Sequence, residues 1–366
     1  MATLTPSMTP RGHVPWLFAA ICLGVIAVVS LYPLDSWQDN TEPLFDFLFY
    51  PLPYYTRRFD TIVNVLAYFP YGFALALIPR QRWLGLLFAI IVASATSLTV
   101  ELIQQFLPSR ISSNLDLLCN SLGGTLGALF ALNPLSRYIG QRLHRWRHRH
   151  FHPSRVTDYA LLLMTLWFLT QLDPSVPFFG VVVIPKGLPQ PFISPLDNPA
   201  LFLFLIEAGS AMLNLVGTLL LVSLCAKRLQ SKSRLVLGFL CLATVIKLAI
   251  AGAFLREFAF FEWINPRVLL GLLAGLLLLL WWLRLPYTAR AGLGVITLGG
   301  MLYLAAQWPL QPDRSPSFSH LRWSHGHLTN LSLLAEVASH VWPWLALTLC
   351  LIGFIRQSLF ASRYEG

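Results

Sequence analysis

Ten stretches of this chain are apolar for long enough to cross a lipid bilayer, and that leaves few folds open to it. They lie at roughly 14–33, 61–79, 83–107, 114–132, 156–173, 199–225, 235–255, 267–283, 291–308 and 337–357. A spanning helix needs about 20 mostly apolar residues, because lipid offers no partner to an unpaired backbone group. Charged residues make up 11% of the chain and hydrophobic ones 56%; a soluble domain carries about 25% charged residues. The sequence therefore predicts an all-α fold, a polytopic helical integral membrane protein with about ten transmembrane helices. The first run, Val14 to Leu31, is too long for the apolar core of a signal peptide, and no A-x-A-like site follows it. Pro343 interrupts the last run.

The net charge of +10 is distributed by topology rather than gathered into a nucleic-acid surface. With alternating spans, 17 of the 26 Lys and Arg fall on one side, including Arg80, Arg82, Arg137, Arg142, Arg145, Arg147, Arg149 and Arg155. Eight fall on the other, and Lys247 lies inside a span. The positive-inside rule then places both termini in the cytoplasm. The segment from Arg137 to Arg155 reads as a basic cytoplasmic loop lying on anionic headgroups. Nucleic acid, or zinc held by His144, His148, His150 and His152, are the other readings of it, but neither Cys nor acid stands nearby to complete a metal set. The five cysteines all fall in spans and offer no disulfide framework.

Within the second to fourth spans stand polar residues that lipid tolerates only facing protein or water: Asp60, Asn64, Glu101, Gln104, Asp116 and Asn120. Asp60/Asn64, Glu101/Gln104 and Asp116/Asn120 are spaced so that each pair shares a helix face. In the alternating topology span two starts outside, span three ends outside and span four starts outside. All six groups then gather within about 10 Å of the outer interface at 1.5 Å per residue. Arg58 and Arg110 sit at the same level. Two readings stay open for them: ion pairs with Asp60, Glu101 and Asp116 that lock helix register, or guanidinium forks offered to an anionic ligand. Gly72, Gly123, Gly124 and Gly127 read as close-packing positions, and Pro70 as a break in the ladder of span two. Tyr68, Phe69 and Tyr71 read as lipid-facing or interfacial aromatics.

This order of residues resembles the VanZ-like family of small integral membrane proteins. Arg58 or Asp60, Asn64, Pro70 with Gly72, Glu101 with Gln104, Arg110, Asp116, Asn120 and the Gly123–Gly127 run sit where that family's pattern has them. The departure is length, since a long C-terminal extension lies outside the pattern. The resemblance implies a membrane location and a link to glycopeptide (teicoplanin) resistance, a property of the family's founding member.

The organisation expected is a VanZ-like membrane domain at 1–133, the basic loop at 134–155, and a six-span region at 156–366. In that last region Glu207 and Lys247 are a second-site candidate, expected to pair between spans six and seven. Metalloprotease, Walker A, nucleophile-elbow and dinucleotide motifs are missing, so no catalytic residue, metal or cofactor is assigned. The function expected is a non-enzymatic, outer-leaflet-facing site that binds or handles an anionic lipid-linked cell-envelope precursor. Membrane lipids are its partners, and nucleic acid is not. The alternatives are a secondary transporter or flippase of an amphiphile, and a membrane-embedded lipid-modifying enzyme.

Overall fold

The computed structural model describes residues 14–31, 37–39, 43–52, 58–108, 110–174, 176–179, 195–227, 229–261, 263–308 and 328–362. Among them run eleven α-helices: α1 (Val14–Leu31), α2 (Arg58–Ala76), α3 (Arg82–Gln104), α4 (Asn114–Leu132), α5 (Pro134–His150), α6 (Arg155–Trp167), α7 (Pro199–Cys225), α8 (Leu229–Phe254), α9 (Pro266–Trp282), α10 (Tyr287–Gln307) and α11 (Leu328–Ser362). Each of the ten apolar stretches becomes a helix. Seven helices contain windows long and apolar enough to cross a membrane, and α2 and α9 are shorter apolar helices. Helix α6 is shorter still and is continued by a 3₁₀ turn, Phe168–Gln171. Helix α11 runs unbroken through Pro343 and is longer than its apolar core.

Several helix starts are written in the sequence. Asn198 accepts hydrogen bonds from the N–H groups of Ala200 and Leu201 ahead of Pro199, and Asn265 accepts from Arg267 ahead of Pro266. An Asn cap with proline at the first helical position satisfies orphan donors and presets φ. Ser154 caps α6 the same way through Thr157 N–H, with Asp158 favourably placed at the positive helix end.

The basic segment differs from its expected loop form. Helix α5 carries it to His150, and none of its residues is buried. Leu135, Tyr138, Ile139, Leu143 and Trp146 are exposed and recur at helical spacing, with Arg137, Arg142 and Arg145 among them. Such a pattern suits a helix lying in a membrane interface. Its acid-free composition identified the charge but not the helix, because the apolar stripe is thin. Arg147 pairs with Asp158, and His150 Nδ1 lies 3.4 Å from Ser231 Oγ.

The chain divides into two compact units, Met1–Arg145 and Trp146–Gly366. In the first, α2 packs on α4, α3 packs on both, and α1 lies against α2 and α3. The α2–α4 contact is backbone to backbone. A Cβ on Gly123 would strike the Val65 carbonyl, one on Gly127 the Phe69 carbonyl, and one on Gly72 the Gly124 carbonyl. A Cβ on Gly124 would meet Ala93 of α3. The assignment of these glycines to helix packing therefore has a specific geometry, and α2 continues through Pro70 beside them.

In the second unit α7 is the hub, touching α6, α8, α9, α10 and α11. Its residues are buried without a break from Leu215 to Cys225. Gly271 of α9 sits on the Ala208 carbonyl of α7 as the first-unit glycines sit on theirs. At the other end of α7, Arg290 donates to the Ser223 carbonyl and to Ser223 Oγ, both at 2.8 Å. That arginine is 3% exposed and closes the last turn of α7, where carbonyls lack helical partners.

Candidate functional site

The polar residues of the first unit do converge. Asn64 Nδ2 of α2 donates to Asp116 Oδ1 of α4 at 2.9 Å. Asn120 Nδ2 of α4 donates to Ser97 Oγ of α3 at 3.0 Å. The Ser113 N–H donates to Glu101 Oε2 at 2.8 Å, and the Ser112 hydroxyl to the Glu101 carbonyl at 2.6 Å. Ser113 also caps α4. The loop between α3 and α4 is thus folded back onto the carboxylate that ends α3, and Asp116 lies within electrostatic reach of Glu101.

The cluster is graded in depth. Asn64, Arg110 and Asp116 are half-buried, whereas Glu101, Gln104 and Asn120 are buried. Tyr68 and Tyr71 correct the expectation of lipid-facing rings: they are 2% and 3% exposed and turn into the bundle. The Tyr71 hydroxyl meets Thr96 Oγ1 at 3.1 Å. The Tyr68 hydroxyl makes only a marginal contact with Ser97, short of a well-formed hydrogen bond, and lies within electrostatic reach of Glu101. Asn120 Oδ1 is buried without a partner. Ser97 and the Ser112–Ser113 pair join the cluster although the sequence does not single them out. Ser97 is one helical turn from Glu101 and so shares its face, a signal that was available.

Two predicted site residues have a structural task. Gln104 Nε2 donates to the Ser30 carbonyl at 2.8 Å and Arg110 Nη2 to the Val29 carbonyl at 3.1 Å. Both carbonyls belong to the last turn of α1, which has no helical donors left for them. Burial lowers the Arg110 guanidinium from its ordinary value, and the negative end of α1 favours its charge. Of the two readings open for the arginines, the ion pair with Glu101 finds no support among the described residues, where no cation pairs with that carboxylate. Lipid-depth carboxylates can be held by N–H groups of a neighbouring loop, which composition does not reveal. The side chains of Arg58 and Asp60 lie outside the described residues. Gln104→Leu is expected to cost about 1 kcal/mol or more by leaving a carbonyl unpaired. Hydrogen exchange should then quicken in the last turn of α1 and stay unchanged in α7 to α11.

The second-site expectation is corrected in its pairing. Lys247 Nζ donates to the carbonyls of Asp173 at 2.8 Å and Val176 at 2.6 Å, and Glu207 pairs with Arg267 at 3.4 Å. Lys247 and Glu207 hold different partners because the turn after α6 folds inward over α8. Asn214 Nδ2 donates to the Phe179 carbonyl of the same turn at 3.1 Å, and Phe179 takes φ 54°. Non-helical backbone at membrane depth must be satisfied by protein, and Lys247 and Asn214 do that here.

Residues 14–136 match the family model described as VanZ/LLP1. No curated protein and no solved structure matches the chain at a significant level. The match takes in α1 to α4 with their polar cluster and stops at the start of α5. Residues 14–136 therefore form a VanZ-like domain, and the chain is a helical membrane protein that carries this domain ahead of a further C-terminal region.

Proposed function

We propose that the VanZ-like domain binds the headgroup of an anionic lipid-linked cell-envelope precursor from the outer leaflet. The observation that carries this reading is the grading of the polar cluster, from half-buried Asn64, Arg110 and Asp116 to buried Glu101 and Asn120, within helices otherwise suited to lipid. A polar strip of this kind at membrane depth is costly unless it is used. Arg110, with Arg58 at the same level of the alternating topology, contacts the ligand's charge through a planar fork. Asn64, Glu101, Asp116 and Asn120 take the hydroxyls of the headgroup. In this reading the protein is multi-pass in the bacterial inner membrane with both termini cytoplasmic, as the distribution of Lys and Arg favours. Helix α5 lies on anionic headgroups at the cytoplasmic face. Glycopeptide resistance, teicoplanin included, follows from altered access to the bound precursor.

Native mass spectrometry of detergent-purified protein tests the reading. Wild type is expected to retain an anionic lipid that Glu101→Gln and Arg110→Lys lose while remaining monodisperse. Arg110→Lys keeps the charge but not the fork, so its loss of lipid separates recognition from simple attraction. Identical lipid retention in all three proteins would refute the site. A chemically altered lipid that disappears in Glu101→Gln would instead mark an enzyme.

A further inference from the structure

The inner end of the first-unit cluster has an unbalanced inventory. Glu101 is 2% exposed, its carboxylate receives only the Ser113 N–H, and no described cation pairs with it. Asn120 Oδ1 is buried with no partner, and Tyr68 Oη is buried with no well-formed hydrogen bond, only a marginal contact with Ser97. These groups surround Ser97, which is bonded to Asn120, lies beside Tyr68 and is one turn from Glu101. Buried polar atoms are nearly always satisfied, so two under-satisfied oxygens beside one uncompensated carboxylate point to a missing occupant. The occupant's chemistry follows from what is spare. A carboxylate and an amide oxygen only accept, and a phenol oxygen also accepts.

We propose that Glu101, Asn120 and Tyr68 bind a monovalent cationic group, an alkali ion or a primary ammonium. The ammonium brings three N–H donors, matching the three oxygen-bearing groups. An alkali ion takes the same oxygens directly. One positive charge balances Glu101 and removes the cost of a lone charge in a dry site. A divalent ion does not fit as well, since it needs six or more oxygens and further negative charge. This proposal shares Glu101 and Asn120 with the headgroup reading, and Tyr68, which that reading does not use, tells the two apart: Tyr68→Phe should weaken the cation response and leave lipid retention unchanged.

The test is thermal unfolding of the purified full chain, followed by tryptophan fluorescence, in N-methylglucamine chloride. Sodium, potassium or ethanolammonium chloride replaces it at constant ionic strength. Wild type is expected to show a saturable rise in Tm of about 2 °C or more with at least one of the three. Sodium or potassium alone identifies an ion site; ethanolammonium alone identifies the amine of a headgroup. Tyr68→Phe deletes one oxygen and keeps the ring, so it should fold and move the midpoint to at least about fivefold higher concentration. Glu101→Gln should abolish the response. No saturable response in wild type would overturn the proposal. So would a response of the same midpoint in Tyr68→Phe and, where it folds, in Glu101→Gln.

Discussion

Lys247→Met is expected to be the most damaging single change in the second unit, lowering stability by about 3–5 kcal/mol. Lys247 is completely buried, and its ammonium holds two carbonyls of the inward turn, those of Asp173 and Val176. Methionine nearly matches its length but donates nothing. Both carbonyls would lose their ammonium donor, at about 1–3 kcal/mol for a group left unpaired away from water, although the Asp173 carbonyl still accepts from the Val176 N–H at 3.4 Å. The buried Asp173 would also lose the charge of Lys247, which lies within electrostatic reach of it. Thermal unfolding in detergent measures the loss. Glu207→Gln should cost far less, because its partner Arg267 is 48% exposed and half-solvated pairs contribute little. In a double-mutant cycle the two changes should add within about 0.5 kcal/mol. Coupling well above that would restore the direct Glu207–Lys247 pair read from the sequence.

Gly127→Ala should cost about 3 kcal/mol in the first unit, at the upper end for overpacking. The added methyl would land on the Phe69 carbonyl of α2. Backbone cannot swing aside as a side chain can, so α2 and α4 would have to separate along their whole contact. That separation also parts Asn64 from Asp116, and so opens the polar cluster. Gly24→Ala is the control. Nothing lies within 4 Å of a Cβ there, and removing a helical glycine should be neutral or stabilise by up to about 1 kcal/mol. Equal Tm values for the two variants would show that the α2–α4 contact is looser than the structure has it.

Much of the molecule was legible in order along the chain. Long apolar runs with caps such as Asn198-Pro199 and Asn265-Pro266 specify helices locally, since backbone groups in lipid have no other partner. Helical spacing alone puts Glu101 with Gln104, and Asp116 with Asn120. Alternating topology brought their levels together. The glycines of α4 could be read as packing positions for the same reason, because small residues on one face matter only where another backbone approaches.

What each polar group touches was decided by the tertiary structure. Spacing shows which residues share a face, but not which neighbour that face meets. Gln104 and Arg110 therefore also close the end of α1, a task that spacing does not announce. Tyr68 looked like a lipid-facing ring and is a buried hydroxyl at the centre of the cluster. Lys247 needed a partner, as any charge at that depth does, yet the partner came from a turn that folds in from beyond α6. Desolvation is a local cost that a sequence announces, whereas the group that offsets it comes from wherever the chain returns.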